Sequence, residues 1–357
     1  MRNGREKKTV DFMSNLDNYQ KIAAKIKKNG VPVIAGLEVT YSCNLSCKHC
    51  YVAGGNAREL DLNEYYKLID DLFGLGTFCI VFTGGEPLMR NDFFDIAGYA
   101  KRKGFLIVLF TNGTLIDEET ADKIKGNGFW KIEMSIYGGT AKTHDRITQR
   151  QGSFEKTLSA VHLLRERNMD VTLKTPLLSL NIHEYHMIKE LAKKLGLNLK
   201  TDFQINPKMD GDLTPLSYRI SPKETLDIVK DRDDLKYFQC DGFQYIDNLT
   251  CNAGKHILGV SPYGDVKPCI IFPVSCGNIR KTNIKEIWLT KNGILDKLRI
   301  LKFSDLIECP ECEYKSYCIR CYADCYLQTG NMLNASPASC ELAELRYKLS
   351  MEMEEKS

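Results

Sequence analysis

The sequence predicts an α/β protein in which about six strand–helix units form a barrel or partial barrel, followed by a small cysteine-rich α+β region. Short apolar strands alternate with amphipathic helices in the first part of the chain, and this alternation is typical of a parallel sheet with helices outside it. The 14 cysteines fall in two separate regions, with none between Cys79 and Cys240. The second region lacks a conventional apolar pattern, which favours stabilisation by metal.

The strand–helix units follow one another without interruption. Predicted strands cover residues 33–41, 78–83, 106–110, 131–136, 171–178 and 200–205, and predicted helices cover residues 60–73, 92–103, 117–125, 153–167 and 184–195. Ser153 is the expected N-cap of its helix. Lys174 in the fifth strand is expected to point into the barrel, where it needs a neutralising partner. The working end of such a barrel is the carboxyl-terminal rim of its strands.

The remainder of the chain does not continue the strand–helix alternation. A glycine-punctuated break at residues 210–214 precedes a predicted joining helix at 221–230. The turn Pro262-Tyr263-Gly264-Asp265 predicts a β-hairpin. Residues 284–300 and 342–355 predict two further helices, with the cysteine-dense stretch between them.

Composition excludes several classes of protein. Lys and Arg number 49 and Asp and Glu number 46, so a net charge of +3 predicts neither a nucleic-acid platform nor an acidic tail. A hydrophobic fraction of 43% with 27% charged residues indicates a folded, soluble protein without a membrane partner. The charged N-terminus lacks the apolar core of a secretory signal, so we expect a cytoplasmic, reducing location in which disulfides are rare.

The first cysteine motif is Cys43-x3-Cys47-x2-Cys50, in the loop after the first strand. Three thiolates can hold a 4Fe–4S cluster while leaving one iron open to a ligand that is not part of the protein. The alternative is a zinc site, which usually takes four ligands and C-x2-C pairs. His49 is the available fourth ligand for zinc, but it directly precedes Cys50, which is a poor geometry for shared chelation.

This motif and those that follow it resemble the radical S-adenosylmethionine (SAM) enzymes. The resemblance covers about residues 33–207 and rests on motifs that occur in order at successive strand ends: Cys43-x3-Cys47-x2-Cys50, Gly84-Gly85-Glu86-Pro87, Thr111-Asn112-Gly113, Ser135-Ile136-Tyr137-Gly138 and His144-Asp145-x2-Thr148. It implies a partial (β/α)6 barrel, with SAM chelating the open iron through its amino and carboxylate groups.

The resemblance also implies cofactor-binding roles. Gly84 and Gly85 allow the backbone to approach the methionine part of SAM, and Glu86 offers a carboxylate to its ammonium group. Asn112 and Ser135 are further expected contacts, and either Arg146 or Arg150 pairs with the SAM carboxylate. No catalytic residue is assigned.

The second cysteine region resembles the SPASM extension of one branch of these enzymes, which binds two auxiliary 4Fe–4S clusters. The resemblance assigns Cys309, Cys312, Cys318 and Cys340 to one cluster, and Cys251, Cys269 and Cys321 to the other. In the cluster of Cys251 and Cys269, the third ligand is either Cys321 or Cys325. Its fourth ligand is Cys240, Cys276 or Cys325, or this iron is left open. Zinc ribbons are the alternative for the paired cysteines. The expected cofactors are therefore three 4Fe–4S clusters and SAM.

These resemblances imply five segments: an N-terminal helical extension (1–32), the radical SAM core (33–207), a linker helix region (208–239), the SPASM-type domain (240–345) and a C-terminal helical tail (346–357). The leading function is hydrogen abstraction from a peptide by a 5′-deoxyadenosyl radical, giving a thioether or carbon–carbon crosslink, as in the biosynthesis of modified peptides. A porphyrin decarboxylase of haem biosynthesis and a formylglycine-forming sulfatase-maturing enzyme are the alternatives. An iron–sulfur scaffold without turnover has no need of the Glu86 motif.

Expected partners follow from the leading function. They are a peptide substrate, a separate leader-binding protein, and a flavodoxin or ferredoxin reductant. The 32 or so residues before the first strand are too few for a fused leader-binding domain, since a domain needs about 40 residues to fold unaided.

Overall fold

A computed structural model describes residues 30–221, 224, 251–291, 293–318 and 320–354 of the chain. The expected N-terminal extension, most of the expected joining helix at 221–230, and Cys240 lie outside these residues.

The described residues form a nine-stranded sheet in the order β6-β5-β4-β3-β2-β1-β7-β8-β9. The strands are β1 (Ile34–Thr40), β2 (Cys79–Gly84), β3 (Leu106–Thr111), β4 (Lys131–Ser135), β5 (Val171–Pro176), β6 (Asn198–Asp202), β7 (Ile257–Val260), β8 (Asp265–Lys267) and β9 (Gly277–Asn278). Strands β1 to β6 pair in parallel in sequence order, as a partial barrel requires. Strand β7 adds in parallel to the other edge of β1, and β8 and β9 continue antiparallel.

Ten helices accompany the sheet in the described part of the chain. They are α1 (Leu62–Leu75), α2 (Phe93–Arg102), α3 (Glu118–Gly126), α4 (Ala141–Thr148), α5 (Ser153–Glu166), α6 (Tyr185–Lys194), α7 (Ile284–Leu289), α8 (Ile294–Ile300), α9 (Tyr322–Thr329) and α10 (Pro337–Glu354). Short 3-10 turns occur at Pro87–Met89, Ile182–Glu184, Thr214–Tyr218, Phe303–Asp305 and Lys315–Tyr317. None of these helices combines the length and the hydropathy that crossing a bilayer requires.

The expected N-cap at Ser153 is wrong. Gly152 is the N-cap of α5, and Ser153 is its first residue. Helix α4, which the sequence pattern did not reveal, brings Asp145 to this point, where its carboxylate accepts hydrogen bonds from Gly152 N (2.6 Å) and Phe154 N (2.9 Å). A carboxylate from a neighbouring helix therefore satisfies the free amides that a local cap would have satisfied.

The single helix expected over 284–300 is also wrong, because the segment forms two helices. Thr290 and Gly293, both poor helix formers, lie at the break. The guanidinium of Arg299 donates to Trp288 O (2.7 Å), which satisfies a carbonyl at the end of α7. The C-terminal helix is longer than expected and begins at Pro337, so it includes Cys340.

The two faces of the sheet differ in polarity. Alternate residues of the strands, such as Ile80, Phe82, Ile107 and Leu109, pack into the main hydrophobic core beneath the helices. Because side chains alternate along a strand, the intervening residues lie on the opposite, concave face. That face carries an apolar strip of Val81, Val108 and Phe110, with charged residues on either side of it.

A buried ion pair connects β1 to the C-terminal hairpin on this concave face. Lys267 Nζ lies 2.6 Å from Glu38 Oε2, and both side chains are at most 5% exposed. Lys267 also donates to Ile270 O (3.1 Å), and the Tyr41 hydroxyl donates to Glu38 Oε2 (3.0 Å). Burial raises the pKa of Glu38, while Lys267 lowers it. The pair therefore fixes the hairpin that precedes Cys269 against the first strand of the barrel.

We expect Lys267→Met to destabilise the chain by about 3–5 kcal/mol, because it leaves the Glu38 carboxylate buried without a cation. Urea denaturation under anaerobic, reducing conditions measures the change. The double variant Glu38→Gln/Lys267→Met should recover most of the loss. Arg58→Ala, which breaks the surface ion pairs of the exposed Arg58 with Asp61 and Glu64, should cost about 1 kcal/mol or less. Equal losses for Lys267→Met and Arg58→Ala would contradict this account.

Candidate functional site

Three thiols lie in the loop that follows β1. Two backbone hydrogen bonds of 3.1 and 3.0 Å tie this loop to the carboxyl end of α4. Burial raises the pKa of Cys47, and the neighbouring thiols of Cys50 and Cys43 raise it further. The three sulfur atoms of the first motif are thus close enough to interact, as its spacing predicts.

The loop after β2 contacts the loop after β1 through its backbone. Gly85 N donates to Thr40 O (2.8 Å), and Glu86 N donates to Ser42 O (2.9 Å). A Cβ on Gly85 would lie 2.2 Å from Ser42 O, and one on Gly84, whose φ is 127°, would lie 2.3 Å from Thr40 O. Only glycine fits both positions, so the pair of glycines brings the second loop against the base of the thiol loop.

Glu86 is fully buried and connects the second strand to the third. Its Oε1 accepts from Thr111 Oγ1 (2.7 Å) and Leu88 N (3.2 Å), and its Oε2 accepts from Asn112 N (2.7 Å). Burial raises the pKa of Glu86 to about 7, although these hydrogen bonds lower it. All three donors are neutral, so no cation compensates the buried carboxylate within its hydrogen-bonded shell.

Asn112 completes the convergence of three strand ends. Its amide Nδ2 donates to Asn44 Oδ1 (3.0 Å) and lies 3.9 Å from Cys43 Sγ. Its Oδ1 accepts from the hydroxyl of Thr114 (2.6 Å). Residues predicted from three separate motifs therefore meet at the carboxyl ends of β1, β2 and β3.

Ser135 and Arg146 are placed differently. Ser135 ends β4, and its side chain is hydrogen-bonded to Tyr137. The exposed guanidinium of Arg146 donates to Leu180 O (2.6 Å), after β5. Arg150 is exposed as well. The structure thus brings Glu86 and Asn112 next to the thiol loop, whereas Arg146 is bonded to a backbone carbonyl on the β5 side of the barrel.

Cys251, Cys269 and Cys321, here called the first auxiliary group, pack together in a small second core around Phe272 and Tyr322. Burial raises the pKa of Cys269 to about 12, and the thiols of Cys321 and Cys251 contribute to the rise. Three cysteines that are distant in sequence therefore lie close together.

Cys309, Cys312, Cys318 and Cys340, here called the second auxiliary group, line one cavity together with Arg320 and Ser336. Arg320 Nη1 lies 3.0 Å from Cys309 Sγ. Burial raises the pKa of Cys318 to about 12, and Cys309 and Cys340 raise it further. A guanidinium beside these thiols is suited to compensate the charge of thiolates.

The two remaining described cysteines of this region are separated from each other. Cys325 lies on α9, one helical turn after Cys321, and is fully buried. Its thiol interacts electrostatically with the thiols of Cys321 and Cys309. Cys276 packs against the main core, and Arg299 is the neighbouring charge that acts on its thiol. Of the two, Cys325 alone lies beside the auxiliary groups.

Tyr51, which follows Cys50 directly, interacts electrostatically with thiols of two different groups. Burial raises its pKa well above 10, and Glu38, Cys50 and Cys269 add to the rise. One cysteine of the thiol loop and one of the first auxiliary group therefore lie near the same side chain, a proximity that the sequence does not reveal.

The donor sets fit iron–sulfur clusters. Both auxiliary groups and the first motif offer soft sulfur ligands. Within the described ranges, no three or more His, Cys, Asp or Glu side chains gather as ligands of a single metal ion. Thiolates of a 4Fe–4S cluster each bind a different iron, so they need not converge on one point. Burial raises the pKa of thiols in all three groups, among them Cys47, Cys269 and Cys318, so these thiols are neutral until a metal stabilises the thiolate.

A charged group on the concave face was only partly foreseen. Lys174 on β5 points into the barrel as expected, and its partner is Glu133 on β4, at 3.1 Å. Lys200 on β6 is bonded to the other oxygen of the same carboxylate. Lysine and glutamate at alternating strand positions indicate a polar inner face of the sheet. Only the order of the strands shows that Glu133, Lys174 and Lys200 are neighbours.

Two family models match the chain. The radical SAM superfamily matches residues 37–195, and the SPASM iron–sulfur cluster-binding domain matches residues 251–326. The AdoMet-dependent heme synthase of Methanosarcina barkeri is 32% identical over 343 residues, covering 87% of this chain and 97% of that protein. The antilisterial bacteriocin subtilosin biosynthesis protein AlbA of Bacillus subtilis is 26% identical over 313 residues, covering 82% of this chain and 67% of AlbA.

Solved structures share the fold. Streptococcus suis SuiB bound to its precursor peptide SuiA superposes with a TM-score of 0.69 at 14% identity, covering 95% of this chain and 83% of SuiB. Native anSMEcpe with bound AdoMet and the Cp18Cys peptide gives a TM-score of 0.67 at 20% identity, covering 90% and 98%. At these identities the likeness concerns the fold, and it agrees with the partial barrel and appended C-terminal domain expected from the sequence.

The raised pKa of Glu86 predicts a pH-dependent stability. Between the ordinary value of 4.5 and about 7, the folded chain holds this proton and the unfolded chain releases it. The contribution of Glu86 to the free energy of unfolding is therefore greatest below pH 4.5. It decreases by roughly 3 kcal/mol as the pH rises to about 7. Glu86→Gln should remove that loss, which urea denaturation of the reduced, cluster-free chain at pH 5 and pH 8 can measure. Parallel pH profiles for the two proteins would show that Glu86 ionises normally.

Proposed function

We propose a function for this chain, which belongs to the radical SAM superfamily and carries a C-terminal SPASM iron–sulfur domain: it oxidatively decarboxylates propionate side chains of a porphyrin. One observation carries the proposal. The similarity to the AdoMet-dependent heme synthase of Methanosarcina barkeri extends over 97% of that protein at 32% identity. The peptide-related proteins AlbA and mycofactocin maturase MftC are 26% identical, with 67% or less of their length covered. The comparisons thus support the expected alternative more strongly than the leading peptide hypothesis.

The reaction balances as follows. A propionate loses one hydrogen atom from the carbon next to the ring and then carbon dioxide, which leaves a vinyl group and one electron. The hydrogen atom goes to the 5′-deoxyadenosyl radical, and the electron passes to a one-electron acceptor of the iron–sulfur class. When bound, the first cluster and SAM supply that radical by one-electron cleavage of the sulfonium.

The residues of the barrel rim have suitable chemistry for this cofactor. Cys43, Cys47 and Cys50 would hold the cluster. Glu86 would face the SAM ammonium, because its buried carboxylate lacks a cation and its Oε2 accepts one hydrogen bond from the protein. An ammonium there would favour the ionised form of Glu86 and would form a charge-assisted hydrogen bond.

For the C-terminal region we propose two auxiliary clusters, hence three in total. The second auxiliary group supplies four thiols, and Cys325 adds a fourth to the first auxiliary group. Cys325 N donates to Cys321 O (3.0 Å), so the two residues are one helical turn apart with Cβ atoms about 5–6 Å from each other. Cys276 sits against the main core beside Arg299, which argues against it as the fourth ligand.

Replacing Cys325 should therefore change the iron content, whereas replacing Cys276 should not. We expect about twelve irons per chain for the reconstituted protein, and for Cys325→Ala a loss of one to four of them. Iron analysis and electron paramagnetic resonance of the reduced proteins provide the measurement, with Cys276→Ala as the matched control. If Cys276→Ala loses the iron and Cys325→Ala keeps it, then Cys276 and not Cys325 is the fourth ligand of the first auxiliary group.

A peptide substrate remains the second candidate function. It is favoured by the similarity to AlbA and MftC, whose names connect them with bacteriocin biosynthesis and mycofactocin maturation. The chain also shares its fold with SuiB, whose structure was solved with its precursor peptide SuiA.

Anaerobic turnover with both substrate classes separates the two functions. The reconstituted enzyme, SAM and a strong reductant are incubated with iron coproporphyrin III or with a peptide encoded near the gene. We expect 5′-deoxyadenosine together with loss of carbon dioxide and two hydrogens per propionate, seen by mass spectrometry. A triple variant with Cys43, Cys47 and Cys50 changed to Ala should be inactive. A modified peptide with an unchanged porphyrin would refute the porphyrin proposal.

A further inference from the structure

The concave face of the sheet contains a cationic group that no cluster or cofactor assignment uses. It consists of Lys174 and Lys200, on the neighbouring strands β5 and β6, and Glu133 on β4. Register places Lys174 opposite both Ser135 and Lys200. The side chains lie on the face opposite the main core, since their strand neighbours Met134 and Leu173 are core residues.

Burial in this group is asymmetric. The Glu133 side chain is 6% exposed, while those of Lys174 and Lys200 are 35% and 55% exposed. Burial would raise the pKa of Glu133, but its bonds to Lys200 and Lys174 lower it. One buried carboxylate is therefore shared by two ammonium groups that remain accessible from the inside of the barrel.

Other charges face the same group. Asp202, at the end of β6, interacts electrostatically with Lys174 and with Arg346 from α10. Three cations and two carboxylates thus lie in this region, which leaves a net positive charge: Lys174, Lys200, Arg346, Glu133 and Asp202. Each ammonium group has three N–H donors, and a further carboxylate can accept from them without displacing Glu133.

The surface next to the lysines is apolar. Lys174 Nζ lies 3.6 Å from the centroid of the Phe110 ring on β3. Val108 lies two residues earlier on the same strand face, and Val81 lies on the neighbouring strand β2. An apolar strip bordered by accessible ammonium groups suits a flat, hydrophobic molecule with carboxylates at its edge.

We propose that Lys174 and Lys200 bind a carboxylate of the substrate and that Glu133 holds the two ammonium groups in position. This inference rests on the proposed porphyrin function and specifies how the substrate is anchored. The cofactor also carries a carboxylate, so its methionine part is the other source of the same chemistry, and the experiment includes it.

Equilibrium dialysis against the anaerobically reconstituted enzyme, without reductant, measures binding in the absence of turnover. The probes are coproporphyrin III, with four propionates, its tetramethyl ester, and SAM. The variants are Lys174→Gln and Lys200→Gln. Lys123→Gln is the matched control, because Lys123 also pairs with a glutamate but lies on helix α3 outside the barrel. Iron content verifies that each variant is folded and loaded.

We expect each inner lysine variant to bind coproporphyrin III about tenfold more weakly, with a smaller dependence on salt, because one charge-assisted contact is lost. Binding of the ester and of SAM should be unchanged in every variant, and Lys123→Gln should behave as wild type. Unchanged coproporphyrin binding in both inner variants would refute the anchor. So would weaker binding of SAM alone, which would assign the lysines to the cofactor carboxylate.

The lysine anchor and the porphyrin function can be refuted separately. If the wild type decarboxylates the porphyrin and the inner variants do so with unchanged KM, the anchor is wrong and the porphyrin function stands. If the wild type neither binds nor converts the porphyrin, the function is wrong and the anchor falls with it.

Discussion

The arrangement of the site depends on the contact between the ends of β1, β2 and β3, which the buried Glu86 carboxylate stabilises through its hydrogen bonds. Parallel strands end at the same edge of a sheet, so the loops after β1, β2 and β3 are neighbours by topology. Topology alone does not fix their distance. Gly84 and Gly85 permit backbone contact with the thiol loop, and the hydrogen bonds of Glu86 to Thr111 and Asn112 attach the second loop to the third. A carboxylate buried for this purpose is electrostatically costly, which makes the same group receptive to a cationic ligand.

A second constraint relates the barrel to the cysteine-rich region. Strand β7 pairs with β1, so the C-terminal hairpin belongs to the same sheet as the barrel. The buried pair of Lys267 and Glu38 adds a charge interaction at that junction, two residues before Cys269. Tyr51 lies where the thiol loop and the first auxiliary group approach each other. The pairing of β7 with β1 and the Lys267–Glu38 ion pair therefore attach the hairpin that precedes Cys269 directly to the first strand of the barrel.

The concave face and the rim that holds the thiol loop carry different side chains. The apolar strip and the group of Lys174, Lys200 and Glu133 contain none of the residues of the thiol loop, nor Gly84, Gly85 or Glu86. This separation agrees with the similarity of the chain both to AdoMet-dependent heme synthases and to proteins of peptide maturation.

The sequence by itself determined the local structure and the types of ligand. Periodicity located the barrel strands and most helices, and the spacing of Cys43, Cys47 and Cys50 predicted a three-thiol loop, because these signals depend on residues within a few positions of each other. Tertiary structure decided what depends on distant residues. Asp145 replaced Ser153 as the cap of α5, Arg146 turned to a backbone carbonyl, and Cys325 came to lie beside the auxiliary thiols while Cys276 did not. These contacts depend on how helix α4, the loop after β5 and helix α9 pack against the rest of the chain, and no periodic pattern in the sequence encodes that packing.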